Sequence, residues 1–275
     1  MRADIYLVKN GHSLSRARAQ ADIDEGRLYV NGINIRKCSY DVKDTDNVEL
    51  RGEDMKFVGR GGLKLEGAIC KFSEKAAEQD DVFLVKGAYF DCRGAICVDI
   101  GASTGGFTDC LLQHGAEKVF AVDCGSGQLH SRLRSDKRVV NIENFNAREL
   151  TEKALGEKCD IAVMDVSFIS QTLLFSAVAD VLKNGGMLLS LIKPQFEAGR
   201  SALNGKGVVK DKKVHKTVIK KVVSEAEPYG LRLVGLAASP IEGGEGNREY
   251  LALFVKSAGA SAFPEGEKLD RIVNL

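Results

Sequence analysis

An alternation of strand-like and helix-like segments beyond residue 95 limits the possible folds of this 275-residue chain more than any other feature. Runs of apolar, β-favouring residues are separated by stretches of helical pattern, and the runs lie at 95–100, 118–122, 139–142, 160–166, 187–192, 231–237 and 249–255. Strands that alternate with helices pair in parallel, because each helix returns the chain to the same edge of the sheet. We therefore predict a doubly wound α/β domain whose last two strands form a hairpin.

The first 57 residues follow a different pattern, which predicts a small α+β module. Helical patterns cover 4–9 and 13–25, and Asn31-Gly32 then lies between two β-favouring runs. This dipeptide favours a two-residue hairpin turn in which both residues have positive φ. The length fits one medium domain and a smaller one, since a domain averages about 150 residues. The predicted divisions are a module over 1–57, a linker with a helix over 58–95, the main domain over 96–256 and a loosely held tail over 257–275.

The net charge of +1 conceals two stretches that are rich in basic residues. Residues 1–40 carry seven basic side chains against four acidic ones, and residues 200–221 carry eight against one. Each stretch could bind the phosphates of a nucleic acid, or could be a solvated face of mixed charge. His215, in the second stretch, is expected beside a phosphate or at the surface. The residues chosen as RNA contacts are Arg16, Arg18, Arg36, Lys37, Arg60, Lys206, Lys210, Lys212 and Lys213.

The seven cysteines show no Cys-x-x-Cys spacing and no histidines at ligand distance in the sequence. We therefore expect neither a disulfide framework nor a bound metal. No apolar region follows the first charged residues and no run of about 18 apolar residues occurs, so we expect a cytoplasmic protein without a secretory leader or a membrane segment.

A glycine-rich turn, VDIGASTGGF at 98–107, follows the first strand of the main domain. Glycine lets the backbone approach a ligand closely, and the helix that follows presents free N–H groups. The spacing differs from Gly-x-Gly-x-x-Gly, which disfavours NAD. Asp99 suits a cationic ligand, and Asp123 is placed to accept hydrogen bonds from ribose hydroxyls. These features favour S-adenosyl-L-methionine (SAM), although a ligand-free tight turn would use the same glycines. The predicted cofactor contacts are Asp99, Gly101, Ser103, Gly105, Gly106, Phe107, Asp123 and Asp165.

Lys193 and Asp165 each follow a predicted strand, so both belong to the carboxyl edge of the sheet, where open α/β sheets place their sites. A lysine and a carboxylate beside a methyl donor can activate a hydroxyl group. The strand before Asp165 leads into Asp-Val-Ser-Phe, which lacks the prolines common in amine methylation, and no proline of the chain precedes a cysteine that could attack a base carbon. The sequence therefore favours an oxygen atom as the methyl acceptor.

Two resemblances to known families agree with these predictions. The segment SLSRARAQADIDEGRLYVNGINIRK resembles the S-four (alpha-L) RNA-binding domain, and the likeness extends over about residues 2–56. Residues 58–256 resemble the FtsJ-like catalytic domain of haemolysin-A (TlyA) type ribosomal RNA methyltransferases. The motifs that carry this second likeness are RGGLKLEGA, VDIGASTGGFTDCLL, AVDCGSGQL, DVSFIS, LIKPQFEAG and GNREYL.

The second resemblance implies a Rossmann-like class I SAM-dependent methyltransferase fold, with a seven-stranded, mostly parallel sheet whose last strand is antiparallel. It implies 2′-O-methylation of ribosomal RNA, with cytidine as the target, ribosomal subunits as partners, no metal, and a monomer or weak dimer. The Lys–Asp–Lys–Glu tetrad of the family matches Lys64, Asp165, Lys193 and Glu249.

In the mechanism that this likeness implies, Lys193 is oriented by Asp165 and Glu249 and helps to deprotonate the ribose hydroxyl. Lys64 positions the acceptor or the RNA backbone. Two alternatives stay open at this point: a non-catalytic RNA-binding protein that retains a SAM-binding fold, and a membrane-lytic haemolysin.

Overall fold

The computed structural model describes residues 1–13, 16–24, 26–51, 56–76, 79–243 and 246–274. The chain divides into two compact units, Met1–Arg60 and Gly61–Leu275. Each unit has its own buried apolar cluster.

The N-terminal unit consists of two short helices and a small antiparallel sheet. Its elements are α1 (Ala3–Lys9), α2 (Arg16–Asp24), β1 (Leu28–Val30), β2 (Ile33–Asn34) and β3 (Val48–Leu50), with the strands in the order β2-β1-β3. Asn31 and Gly32 have φ values of 50° and 79°, so the predicted hairpin turn is confirmed. Leu7, Ile23 and Leu28 are fully buried where both helices pack on the sheet.

The larger unit begins with a helix and then alternates strands with helices. Its elements are α3 (Gly61–Lys71), β4 (Val82–Leu84), β5 (Ile96–Ile100), α4 (Gly106–Gln113), β6 (Lys118–Val122), α5 (Ser131–Arg134), β7 (Val139–Ile142), α6 (Glu152–Leu155), β8 (Cys159–Met164), α7 (Phe175–Val181), β9 (Leu182–Ile192), α8 (Pro194–Glu197), α9 (Lys212–Ala226), β10 (Leu231–Ala238), β11 (Tyr250–Lys256) and α10 (Gly266–Asn274).

The described strands of this unit form one sheet in the order β4-β10-β11-β9-β8-β5-β6-β7. The pairs β9-β8, β8-β5, β5-β6 and β6-β7 are parallel, whereas β11 is antiparallel to both β9 and β10. The predicted fold class, including the antiparallel last strand, is therefore confirmed. In this sheet β5, β8 and β9 lie side by side, so their carboxyl ends meet at one edge.

Helix α9 shows how side-chain spacing fixes the layers around the sheet. Its buried residues are His215, Val218, Ile219, Val222, Val223 and Ala226, which recur every three or four positions and form one face. That face packs into the core with strands β10 and β11. The lysines between these positions are left at the surface or near it.

Two sequence-based expectations for this unit are corrected. The segment predicted as a linker also contributes β4, which pairs with β10 and adds an eighth strand to the predicted seven. The tail is not loosely held: α10 buries Leu269, Ile272 and Val273 in the main core. The spacing of these three residues gives the helix one apolar face, which it buries against α9 and β10.

The part of the chain that is described contains no helix with the length and hydropathy that crossing a membrane would need.

Candidate functional site

A cavity of about 590 Å³ opens at the carboxyl ends of β5, β8 and β9. This size lies within the range of small-molecule sites, about 300–1,000 Å³. The turn after β5 contributes Gly101 and Ser103, and the segment after β8 contributes Asp165. Lys193, which directly follows β9, lies on the same wall. The structure therefore brings together residues that the sequence predicted for one sheet edge.

Lys193 is held at this edge by two oxygen atoms. Its Nζ lies 2.5 Å from Asp165 Oδ1 and donates a hydrogen bond of 2.9 Å to Ser167 Oγ. The lysine and aspartate side chains are only 7% and 18% exposed. Pro194 follows at the first position of α8, where a helix does not need the missing N–H, so the backbone direction after Lys193 is fixed.

Lys64 reaches the same cavity from α3. Its Nζ donates a 2.6 Å hydrogen bond to Glu249 Oε2 and lies 3.8 Å from Asp165 Oδ2. Glycine makes this approach possible, because a Cβ at Gly67 would lie 2.5 Å from the Pro240 ring. Helix α3 can therefore lie against the segment that follows β10, and Lys64 can reach the carboxylate that precedes β11.

Positive and negative groups alternate through this cluster, in the order Lys193, Asp165, Lys64 and Glu249. All four residues line the cavity, although Lys64, Lys193 and Glu249 are less than 9% exposed. Charges held at such burial interact more strongly than they do in water, and each carboxylate here offsets a neighbouring cation. The cluster is thus a rigid, internally neutral group that can respond to charge developing in the cavity.

The glycine turn owes its shape to backbone conformations that few residues adopt. Gly101 and Gly105 have φ values of 83° and 93°, and Ser103 has a φ of 48°. A Cβ at Gly101 would lie 3.0 Å from the carbonyl oxygen of Asp165, so β5 and β8 meet closely here only because this residue is glycine. Asp123 holds the turn from the next strand, since its Oδ2 accepts a 2.8 Å hydrogen bond from Ser103 N–H.

Asp99 lies fully buried behind this turn. Its Oδ2 accepts hydrogen bonds from Thr108 N–H and from the Thr108 hydroxyl, at 2.9 and 2.7 Å, whereas Oδ1 has no hydrogen-bond partner in the described structure. Burial is the main reason that the pKa of this carboxyl is raised to about 7; the hydrogen bonds from Thr108 lower it, and the charges of Asp165 and Asp123 add to the rise. A cation in the adjoining space would favour the ionised form.

The predicted cofactor contacts divide into two groups. Gly101, Ser103, Gly106, Phe107 and Asp165 line the cavity, whereas Asp99, Gly105 and Asp123 do not. Gly105 supports the turn from outside, because any side chain here would strike Leu129 and Leu133. Residues of the second group support the glycine turn from behind and do not form the wall of the cavity.

Sequence reasoning did not single out two lining residues of the DVSF motif, Ser167 and Phe168. Phe168 is 92% exposed, and its ring centre lies 5.2 Å from that of Phe196. Its φ of 64° is unusual for a residue other than glycine. The motif itself was the available signal, but neither the exposure nor the turn can be derived from the residue types.

The segment that carries Lys206 is tied down from the opposite wall. Asn247 accepts a hydrogen bond from Val209 N–H at 3.3 Å and donates one to the Gly207 carbonyl at 3.2 Å. His215 contacts the Val209 carbonyl at 2.9 Å and the Tyr250 hydroxyl at 2.7 Å. The expectation of a surface or phosphate-binding histidine is therefore wrong, because His215 is only 4% exposed and serves the packing of α9.

Two arginines predicted as RNA contacts form ion pairs with buried carboxylates. Arg16 lies 2.9 Å from Asp4 Oδ2, and Arg18 lies 3.2 Å from Asp22 Oδ1. A side-chain hydrogen bond from Arg2 is the main reason that the pKa of Asp4 lies far below its usual value. Arg16 is still 59% exposed, so its outer surface can meet a ligand, but Arg18 is only 20% exposed.

The remaining predicted RNA contacts are mostly exposed. In the N-terminal unit, Arg36 and Lys37 follow the hairpin and are exposed, and the Arg36 guanidinium lies over Gly26. Arg60 is exposed at the end of this unit. In the larger unit, Lys206 lines the cavity, and Lys210, Lys212 and Lys213 are exposed at the start of α9. Lys216 instead forms an ion pair with Asp270 of α10.

Among the residues that the structure describes, no group of three or more His, Cys, Asp or Glu side chains is arranged to hold a metal ion.

Comparisons with known proteins divide the chain in a similar way. A family model described as FtsJ-like methyltransferase matches residues 57–256, and one described as S4 domain matches residues 1–48. Hemolysin A of Brachyspira hyodysenteriae is 40% identical over 256 residues, which are 93% of this chain and 100% of that protein.

A second relative carries a functional name. The 16S/23S rRNA (cytidine-2′-O)-methyltransferase TlyA of Mycobacterium tuberculosis is 37% identical over 250 residues, covering 90% of this chain and 87% of its own length. Among solved structures, one from Streptococcus thermophilus that carries the name hemolysin is 36% identical and superposes with a TM-score of 0.76, covering 100% of this chain and 94% of that one.

Proposed function

Because the chain belongs to the FtsJ-like methyltransferase family, we propose that it transfers the methyl group of SAM to a ribose 2′-hydroxyl of cytidine in ribosomal RNA. The observation that carries this proposal is the Lys193–Asp165–Lys64–Glu249 cluster, which lines one cavity together with the glycine turn. A turn that bound only a cofactor would not need two buried lysines beside it.

The residues present fit the cofactor. Gly101 exposes its backbone to the cavity at a point where a Cβ would lie 3.0 Å from the carbonyl oxygen of Asp165, and Ser103 and Phe107 line the same cavity. Asp99 has a buried, unpartnered oxygen behind the turn, which suits a cationic ligand. Asp123 fixes the turn and can accept hydrogen bonds from ribose hydroxyls. Bound SAM supplies a methyl group on a positively charged sulfur, which is an excellent leaving group.

Lys193 is the residue that we assign to the acceptor hydroxyl. Asp165 holds its charge in an ion pair, and Ser167 accepts one of its three N–H donors, so the amino group is restrained in position and orientation. It can contact the ribose oxygen and stabilise the negative charge that develops there as the proton leaves; in its neutral form it can take this proton. Most of the acceleration then comes from orientation and from preorganised charge.

Lys64 and Glu249 complete the charge balance around Asp165. Without Lys64, Asp165 would lose the cation 3.8 Å from its second oxygen. Without Glu249, the buried charge of Lys64 would lose its 2.6 Å partner and keep only the more distant contact with Asp165, which is unfavourable. We assign Asp165 and Glu249 to orientation of the lysines, and Lys64 to positioning of the acceptor or its backbone.

Phe168 offers an apolar face where an RNA base can stack. Exposed aromatic rings contribute about 1–3 kcal/mol per stacked base. The Phe168 ring stands 92% exposed at a wall of the cavity, beside Phe196. Because Lys193 is only 6% exposed inside the cavity, we expect the target nucleotide to lie in a single-stranded loop or to be drawn out of a helix, which leaves its base free for such stacking.

Two basic surfaces bind the RNA. One comprises Arg16, Arg36 and Lys37 in the N-terminal unit, and the other comprises Lys206, Lys210, Lys212 and Lys213. Both present charge to phosphates, which suits recognition of RNA by shape and backbone. The proposed partners are ribosomal subunits in the cytoplasm, bound by a monomer or weak dimer.

The test is to incubate ribosomal subunits and naked ribosomal RNA with labelled SAM, and then to map ribose methylation by mass spectrometry. We expect a methyl group on the 2′-oxygen of one or a few cytidines. Lys193→Ala should bind SAM with unchanged Kd and transfer no methyl group. Label in neither RNA nor subunits, or normal turnover by Lys193→Ala, contradicts the proposal, and the first result favours a non-catalytic RNA-binding protein.

A further inference from the structure

Ser167 is an exposed hydroxyl that contacts the central lysine of the site. It stands two residues after Asp165, lines the cavity, and accepts a 2.9 Å hydrogen bond from Lys193 Nζ. Asp165 Oδ1 lies 2.5 Å from the same amino group, but this contact is an ion pair without hydrogen-bond geometry. A lysine ammonium has three N–H donors, so a fixed acceptor for one of them restricts where the other two point.

An ion pair alone would not define that direction. Attraction between a carboxylate and an ammonium depends mainly on distance, and a lysine has four rotatable bonds along its stem. A hydrogen bond to a hydroxyl is more demanding, since it weakens steeply away from linearity. Asp165 therefore supplies most of the attraction, while Ser167 supplies the angle.

The backbone around Ser167 is shaped to keep the hydroxyl in place. The next residue, Phe168, has a φ of 64°, which a side-chain-bearing residue adopts only when its surroundings impose it. Contacts on both sides impose it here: Asp165 and Ser167 hold Lys193, and the Phe168 ring lies against Phe196. The segment after β8 thus contacts the segment after β9 through three residues, Asp165, Ser167 and Phe168, and the serine is the middle one.

Ser170, in the same loop, shows what a purely structural serine does in this region. Its hydroxyl donates a 2.6 Å hydrogen bond to Glu197 Oε2, and Glu197 is 7% exposed. Glu197 also accepts the Gln171 N–H at 2.8 Å. Ser170 therefore satisfies a buried carboxylate, whereas Ser167, within the described residues, contacts Lys193 as its one buried partner.

We propose that Ser167 is a positioning residue for methyl transfer, which holds Lys193 Nζ so that another of its N–H donors faces the acceptor hydroxyl. This role rests on the proposed function. Ser167 acts through Lys193 and takes no part in binding the cofactor. Its loss should therefore lower the rate of the chemical step and leave substrate affinity and folding unchanged.

The test compares Ser167→Ala, Ser167→Thr and Ser170→Ala in the full chain, with ribosomal RNA, labelled SAM and a thermal unfolding measurement. Ser167→Ala should lower kcat about tenfold, because small misplacements of a reacting group are costly, while KM for both substrates and the Tm stay unchanged. Ser167→Thr keeps the hydroxyl and should restore most of kcat. Ser170→Ala should show the reverse pattern, a lower Tm with unchanged kcat.

An unchanged kcat in Ser167→Ala overturns the role, as does a loss that Ser167→Thr fails to restore. A fall in Tm equal to that of Ser170→Ala would also overturn it, because Ser167 would then be structural. These results differ from failure of the proposed function, in which the unaltered chain itself would leave every ribose unmethylated.

Discussion

Strands β8 and β9 carry a lysine–aspartate pair at each end, and the two pairs have similar distances but differ in burial. At the amino end, Lys183 Nζ lies 2.7 Å from Asp160 Oδ1, with side chains 46% and 39% exposed. At the carboxyl end, Lys193 Nζ lies 2.5 Å from Asp165 Oδ1, with side chains 7% and 18% exposed.

Only the surroundings distinguish these pairs. The first faces solvent, where an ion pair contributes about 0–1 kcal/mol. The second lines the cavity, beside a second lysine, a second carboxylate and the glycine turn. The carboxyl edge of a parallel sheet collects loops from several strands, so it can surround a charge pair in a way that the amino edge does not. The position of a pair within the fold therefore decides whether it serves the surface or the site.

The largest effect is expected when the aspartate of the buried pair loses its charge. Asp165→Asn keeps the side-chain shape but leaves Lys193 and Lys64 facing each other without the carboxylate between them. We expect the methylation rate to fall about a thousandfold, or about 4 kcal/mol in barrier height. Asp160→Asn, the matched change at the amino end, should alter the rate less than about twofold. Equal losses in the two variants, measured as kcat/KM, would contradict the distinction between the edges.

A second test uses pH to compare the aspartates of the two edges. Burial raises the pKa of Asp99 to about 7, from an ordinary value of 3.8. The native state therefore holds a proton that the unfolded state releases, and stability falls as pH rises from 4 to 7. This group alone should lower the free energy of unfolding by about 3 kcal/mol over that interval.

Asp160 is expected to change stability with pH in the opposite direction. Burial would raise its pKa, but the hydrogen bonds from Lys183 and from Ile96 N–H, with the charge of Lys183, lower it overall. Its contribution is present above the ordinary pKa and is lost as pH falls. Urea unfolding between pH 4 and 8 should show a decline that Asp99→Asn removes and Asp160→Asn leaves in place. A decline of equal size in Asp99→Asn would show that another group causes it.

The sequence predicted the parallel sheet well because its strands read as continuous apolar runs, and most residues of β5, β6 and β8 are buried. Strands Lys118–Val122 and Val139–Ile142 have the bounds that the runs indicated. Strand β4 was missed because three residues, Val82–Leu84, carry too little pattern, and only pairing with β10 makes them a strand. The tail was misjudged from its Gly- and Ser-rich start, although Leu269, Ile272 and Val273 had helical spacing.

The site was predictable where sheet geometry alone determines it. Asp165 and Lys193 each follow a strand of a parallel sheet, so their meeting at one edge followed from topology. Lys64 was reached only through resemblance to a family, since α3 precedes the sheet and its approach depends on the packing of Gly67 against Pro240. The partners of Arg16 and Arg18 were not foreseen, because Asp4 and Asp22 look like surface residues until the small core buries them.

Glycine substitutions sharpen the comparison of the two edges through the backbone. Gly101 and Gly185 have φ values of 83° and 80°, but a Cβ at Gly101 would lie 3.0 Å from the Asp165 carbonyl oxygen, whereas one at Gly185 would meet nothing within 4 Å. Gly185→Ala should therefore cost only the conformational penalty, about 1 kcal/mol. Gly101→Ala should cost about 2–3 kcal/mol, since overpacking is added, and should weaken SAM binding. Equal losses of stability for the two variants in chemical unfolding would mean that the backbone at Asp165 can shift away from the new Cβ without cost.

The smallest expected effect concerns α9, whose charges oppose its dipole. Lys212 and Lys213 stand in the first turn, where positive charge is unfavourable, and Glu225 stands in the last. A helix under selection for stability alone would carry the reverse arrangement, which is what the proposed role of these lysines in RNA binding would explain. The double change Lys212→Glu and Lys213→Glu should raise the free energy of unfolding by about 0.5–1 kcal/mol. It should also reduce the salt dependence of RNA binding, as the slope of log K against log salt, by about 1.4–1.8.

Glu225→Lys separates these two effects, because it relieves the dipole at the other end of α9 without removing a lysine. It should raise the free energy of unfolding by about 0.3–0.5 kcal/mol and leave the affinity for RNA undiminished. The measurements are urea unfolding and filter binding of ribosomal RNA across a salt series. If the double variant bound RNA with an unchanged salt slope, the lysines would be ordinary solvated charges, and the basic surface of the larger unit would reduce to the residues at the cavity itself.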